Sequence, residues 1–190
     1  MSSQPKTFLT PEEYLAIERK AEYKSEYSNG EMFALARSNR NHSLIAGNIA
    51  AQLGRQLKDS PSEVYISSMR LKIPLTAIYT YPDVSVVSEG PKFEDEHFDT
   101  LLNPTVLVEV LSPSTESYDR GKKSCNYRTI ESLAEYLLVS QDEYRVEQYS
   151  KQPDGRWLLT DARPLEGIVD LASIQCVLKL KDVYGKVALP

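Results

Sequence analysis

At 190 residues, with 41% hydrophobic residues, the chain is sized for one domain that can bury a core without disulfide or metal staples. Its formal net charge is −5, Asp and Glu outnumbering Lys and Arg by 27 to 22, which does not suit a protein that wraps extended nucleic acid through a continuous basic surface. Cys125 and Cys176 match no metal-ligand spacing, and neither a signal segment nor a membrane-length apolar stretch is seen, so a reduced, cytoplasmic protein is expected.

Residues Met1 to Lys6 read as a flexible end. Thr10-Pro11-Glu12-Glu13 then opens a helix to about Lys20, with Thr10 as N-cap, proline at the first helical position and the acid three residues on closing a capping box. Tyr23 to Tyr27 and Glu31 to Ala36 flank Ser28-Asn29-Gly30, a hairpin signal because Asn and Gly tolerate positive φ. A second helix is predicted from about Asn41 to Lys58, with Ile45, Ile49, Leu53 and Leu57 on its inner face and His42 at its start. Glu63 to Ser68, Arg70 to Pro74 and Tyr81 to Ser88 read as strands, followed by a charged loop, Pro91 to Asn103, that could hang over a neighbouring site. His97, among four acids in that loop, is read as solvated rather than as a metal ligand.

Thr105 to Leu111 is the most informative stretch. Val106, Val108 and Val110 take one face and Leu107, Glu109 and Leu111 the other, so both faces are apolar and the strand is central. A carboxylate buried there must be protonated, paired or bound to a cation. Asp83 opens an earlier apolar strand and shares a face with Ser85 and Val87, so two strands of one sheet each present an acid. Two such charges repel unless a divalent cation lies between them. A turn-rich link, Ser112 to Asp119, leads to a helix from about Arg120 to Ser132, on which Lys123, Tyr127 and Ile130 form one stripe, placing Lys123 inward and Lys122 outward. Ala134 to Ser140 is another buried strand. Tyr144 to Ser150 and Arg156 to Thr160 form an edge hairpin whose Tyr144, Val146 and Gln148 face offers a homodimer surface, and the tail through Leu178 to Leu180 alternates in hydrophobicity without a motif.

Pro82-Asp83 followed by Glu109-x-Leu111 resembles the PD-(D/E)XK nuclease core. The string Val108 to Thr115, with Asp119-Arg120-Gly121-Lys122-Lys123 and Tyr127, more closely resembles the Uma family of restriction-endonuclease-like proteins, from about Phe8 to Val139. The general core has a Lys two residues after the Glu, where this chain has Leu111; in the Uma family the helix after the strand supplies it, and the matching position is Lys123. Glu26, Gly30 and His42 also match the Uma pattern; Glu26, on a hairpin, is set aside as a solubilising carboxylate, and His42 is a substrate-contact candidate. The resemblance implies a single α/β domain over residues 1–190, with a central mixed sheet flanked by helices and an N-terminal helix and hairpin. It implies Mg²⁺ or Mn²⁺ on Asp83, Glu109 and the main-chain carbonyl of Val110, with Lys123 assisting a water that hydrolyses DNA. Arg37 and Arg40, and Arg120, Lys122, Lys123 and Arg128, are candidate phosphate contacts. The alternative is a non-catalytic scaffold or binding protein that keeps the fold and a structural Asp83, Glu109 and Lys123 network.

Overall fold

The computed structural model describes residues 8–35 and 38–189, so Met1 to Lys6 and Arg37 lie outside the described residues. Helix α1 (Pro11–Glu18) starts at the expected capping box: the Thr10 hydroxyl accepts from the Glu13 N–H at 3.2 Å, and the Glu13 carboxylate accepts from the Thr10 N–H at 2.8 Å. Strands β1 (Ser25–Ser28) and β2 (Glu31–Ala34) pair antiparallel around Asn29 and Gly30, both with positive φ. A Cβ on Gly30 would lie 2.7 Å from Phe8, so the turn needs glycine for space as well as for φ. The hairpin has two unlike faces. Tyr27 and Met32 pack with Tyr14 and Tyr79, whereas Glu26 and its cross-strand partner Phe33 lie on the other side.

Helix α2 (Arg40–Gln56) is capped by Asn39, whose side chain accepts from the His42 N–H, and it buries Ile45, Ile49 and Leu53 as its periodicity predicts. Strands β3 (Glu63–Ile66), β4 (Arg70–Ile73), β5 (Ile78–Thr80) and β6 (Val84–Val87) follow. The strand expected over Tyr81 to Ser88 thus starts only at Val84; proline offers no N–H to a ladder, and the chain leaves one sheet at Thr80 and enters another after Asp83. The polar loop holds the short strand β7 (Thr100–Leu101) and does not cover the site. Instead Arg19 binds Asp95 and Asp99, Arg70 pairs with Asp99, and Lys72 with Glu94, which fastens the loop to α1 and β4. His97 is exposed, its N–H donating to Asp95.

Strand β8 (Val106–Leu111) is buried along its whole length. Val106, Val108 and Val110 enter a core with α2, while Leu107 and Leu111 enter another with Tyr127 and Tyr136, so both faces are apolar as the alternation predicts. The segment read as a helix from Arg120 to Ser132 is shorter and irregular: α3 (Glu116–Tyr118), a π turn over Asp119–Lys123, and α4 (Ser124–Tyr127). A 3.6-residue period carries no signal for such a wide turn. The remaining elements are β9 (Glu135–Ser140), β10 (Val146–Lys151), β11 (Trp157–Ala162), β12 (Ile168–Leu171), β13 (Cys176–Lys179) and α5 (Leu180–Val183).

Strands assemble into a six-stranded sheet of order β11-β10-β9-β8-β6-β3 and a five-stranded sheet of order β2-β1-β5-β4-β7, with β12 and β13 as a separate pair. The six-stranded sheet is mixed: β8 and β9 run parallel, the other neighbours antiparallel. Two of the three residues of the expected dimer face, Val146 and Gln148, are buried within the chain, while Tyr144 stays 38% exposed. Val146 is buried against Val169 and Leu171 of the C-terminal pair, Gln148 donates to Asp170 and Glu135, and Tyr144 packs edge-on against Tyr184. The alternating tail that carried no motif is the layer that covers this face. Among the described residues, no helix is long and apolar enough to cross a membrane.

Candidate active site

Where β6 meets β8 the ladder pairs Val84 with Val108, and one further step of that antiparallel register sets Asp83 opposite Glu109. The backbone of β8 anchors the first acid, the Val110 N–H donating to Asp83 Oδ2 at 2.8 Å. Helix α2 holds its other oxygen: His42 Nε2 lies 2.8 Å from Asp83 Oδ1. His42 is therefore an orienting partner of Asp83, as well as a residue of the cavity wall where the sequence suggested a substrate contact. The Val110 backbone meets Asp83 through its N–H, so a ligand role for its carbonyl stays a separate matter.

Glu109 is only 5% exposed. Its Oε1 lies 2.8 Å from Lys123 Nζ and accepts from the Tyr127 hydroxyl at 2.6 Å. Lys123 ends the π turn and is buried together with Asp119 at the turn's start, whereas Lys122 is exposed, so the inward and outward assignments hold. Around the ammonium the distances lengthen from Glu109 to Glu26 Oε1 at 3.3 Å and Asp119 Oδ1 at 3.6 Å. Glu26 is also held by the Thr80 hydroxyl.

The hairpin carboxylate set aside on sequence grounds is thus part of the cluster. Its signal was its place one residue from Tyr27, on the opposite face from the aromatic core. Asp119 and Tyr127 were also missed as polar members, although both sit four residues from Lys123. Asp83, Glu109, Val110 and Lys123 all line one cavity of about 760 Å³, which Glu26, His42 and Asp119 share. The loop around His97 contributes nothing to its wall. Arg40 is exposed, its guanidinium donating to the Lys186 carbonyl, and Arg120 pairs with Glu116 and Glu147. Arg128 donates back into its own turn.

The electrostatics are unbalanced among the described residues: three carboxylates, Glu26, Glu109 and Asp119, surround the Lys123 ammonium, and a fourth, Asp83, is held by His42 in the same cavity. Burial pushes Glu109 up to about 8; Lys123 opposes this, and the charges of Asp83 and Asp119 add to it. Asp119 is raised for the same first reason, burial. Burial pulls the other way on Lys123, but Glu109, Tyr127, Glu26 and Asp119 together hold it well above its ordinary range, so it is an ammonium. Among the described residues, no three His, Cys, Asp or Glu side chains are grouped to hold a metal ion by themselves. What the cluster does offer is two hard oxygen donors on adjacent strands and an unneutralised surplus of negative charge. A divalent cation completed by backbone oxygen and water fits that chemistry; a soft, thiolate-bound metal does not.

Comparison with known proteins places this geometry among relatives. A family model described as "Uma2: Putative restriction endonuclease" matches residues 11–180. Two proteins of Synechocystis sp., both named as uncharacterized, are similar along most of their lengths: sll1609 is 42% identical over 153 residues, covering 80% of this chain and 86% of its own. The other, slr1290, is 35% identical over 186 residues, covering 98% and 96%. A crystal structure from Anabaena variabilis, described as "a putative nuclease belonging to DUF820", superposes with a TM-score of 0.78 over 95% of this chain and 99% of that one. At 20% identity that likeness establishes a shared fold.

Proposed function

The chain belongs to the Uma2 family of restriction-endonuclease-like proteins, and from that premise we propose that it is a divalent-metal-dependent nuclease hydrolysing phosphodiester bonds of DNA. The observation that carries the reading is the cluster of Lys123 with Glu109 at 2.8 Å, in the cavity that Asp83 also lines. Mg²⁺ or Mn²⁺ held by Asp83, Glu109 and the Val110 carbonyl would supply polarisation of a phosphate oxygen and a more acidic bound water.

The chain's own groups have separable tasks. His42 and the Val110 N–H fix both oxygens of Asp83, so that carboxylate is oriented before any ligand arrives. Tyr127 does the same for Glu109 Oε1. Lys123, held protonated, is a donor rather than a resting base: its Nζ orients a water by hydrogen bonding and offsets negative charge developing on the phosphoryl oxygens.

Two measurements test this together. Mn²⁺ at ten times its Kd stabilises a native state that alone binds it by about 1.4 kcal/mol, which raises the melting temperature of a chain this size by about 3–6 °C. Asp83→Asn is expected to remove that shift and the Mn²⁺-dependent nicking of plasmid DNA. No shift and no nicking by the unmutated protein would leave the scaffold reading in its place.

A further inference from the structure

The nuclease reading leaves open how nucleic acid is held in a cleft this acidic. Besides the four clustered carboxylates, Lys123 and His42, the cavity wall adds Glu22 and Lys24, so among the described residues five acids and two ammonium groups line it. Lys24 is already engaged, its Nζ donating to the Ser67 carbonyl at 2.8 Å and lying 5.4 Å from the Tyr81 ring. Duplex recognition by neutralising rows of phosphates needs the opposite balance.

The same wall carries exposed rings instead. Phe33 is the direct cross-strand partner of Glu26, and such partners project from the same face of a hairpin. Glu26 reaches within 3.3 Å of Lys123, and the Phe33 side chain lines the same cavity as Lys123, Asp83 and Glu109. It is 50% exposed there, and Leu35, two residues on and so on the same face, is 38% exposed. Tyr23, 66% exposed, lines the mouth. The opposite face of this hairpin buries Tyr27 in the aromatic core, so the exposure of Phe33 is specific to the cleft side.

We propose that Phe33 is a stacking platform for an unpaired nucleobase, and that the substrate class is single-stranded or locally unpaired DNA rather than intact duplex. A base presents a neutral π-face, which an acidic wall does not repel and which an aromatic ring binds without regard to sequence. Duplex keeps its bases stacked on one another and so offers an aromatic side chain no free π-face. The inference rests on the nucleic-acid reading above.

Fluorescence anisotropy of a labelled, cleavage-resistant phosphorothioate oligonucleotide, single-stranded and as a duplex of equal length, tests it on the full chain in Mg²⁺. The single strand is expected to bind more tightly. Phe33→Ala should weaken single-strand binding about tenfold, within the range of one base–aromatic stack, and leave duplex binding nearly unchanged. Phe33→Tyr should restore the affinity and Phe33→Leu should not, which separates stacking from apolar packing; melting temperatures confirm that each variant folds.

Duplex binding as tight as single-strand binding, no binding of either, or a Phe33→Leu variant equal to the unmutated protein would each overturn the platform. Plasmid and single-strand cleavage by the unmutated protein, run in parallel, keeps the two readings apart. Phe33-dependent binding without cleavage sinks hydrolysis and spares the platform; cleavage that Phe33→Ala leaves intact does the reverse.

Discussion

Two of the charge clusters among the described residues, one beside α1 and one in the cavity, are built on opposite plans. Beside α1, two guanidinium groups meet two carboxylates: Arg19 binds Asp99 at 2.8 Å and Asp95 at 2.6 Å, and Arg70 pairs with Asp99 at 2.9 Å while donating to Thr100 and Tyr81. Hydrogen bonding from Arg19 holds Asp99 well below the usual carboxylate range. In the cavity, among the described residues, the Lys123 ammonium answers three carboxylates, and burial moves Glu109 and Asp119 upward. Balanced charge fastens a loop, whereas surplus charge of one sign is what the proposed metal-dependent reading builds on. Perturbation alone does not distinguish the two, because both clusters are perturbed; the sign of the carboxylate shifts does, downward for Asp99 and upward for Glu109 and Asp119.

Neutralising the lone cation of the acidic cluster should have the largest effect. Lys123→Met keeps the buried apolar stem and removes the donor beside Glu109, so cleavage is expected to fall about a hundredfold or more, as when a preorganised donor to developing charge is lost. Lys122→Met, one residue away on the exposed side, should cleave like the unmutated protein. Equal losses in both would mean that burial within the cluster is irrelevant to cleavage, and the contrast between the two regions would fail. The readout is initial nicking rate on the same DNA at saturating Mn²⁺.

Breaking the balanced cluster should change stability and leave chemistry alone. Arg70 is 3% exposed and binds Asp99, Thr100 and Tyr81, so Arg70→Met leaves half-buried polar groups without their partner. Removing one member of a buried pair costs about 3–5 kcal/mol, and the lower end is expected because Arg19 still holds Asp99. Urea unfolding measures the loss. A stable Arg70→Met variant with impaired cleavage would instead tie this region to the site through Tyr81, two residues before Asp83.

Most of the frame was readable before any coordinates. Uninterrupted apolar character on both faces of Val106 to Leu111 made that strand central, and a lone acid on each of two such strands placed Asp83 near Glu109. Helical spacing pointed Lys123 inward even though the segment is a π turn and not a regular helix, because the stripe needs only one turn to be set. What was hidden depended on distant chain. Glu26 is half-buried, held by Thr80 and Lys123, which lie far along the sequence from its hairpin. Val146 and Gln148 looked like an outer face because the strand pair that covers them, β12 and β13, announces itself by alternation alone and gives no address.

The smallest effect expected is a change of slope with pH, and it sharpens the contrast because it belongs to the balanced cluster only. A carboxylate whose folded pKa lies below its unfolded value near 3.9 contributes stability that is fully present above that value. As pH falls toward the folded pKa the unfolded chain binds the extra proton first, so the contribution is lost on acidification. Asp99 is such a group, lowered by Arg19 first and by Arg70 and Thr100 after burial has opposed them. Its side chain is 34% exposed, so solvent screening keeps the amount modest, but the direction is fixed. Unfolding free energies measured in chelator, to keep metal out of the acidic cavity, should therefore fall less steeply below about pH 4 in Asp99→Asn than in the unmutated protein. An unchanged slope would mean that the Arg19 and Arg70 contacts to Asp99 add nothing in solution, and the balanced cluster would then be an arrangement of surface charge rather than the fastening of the loop.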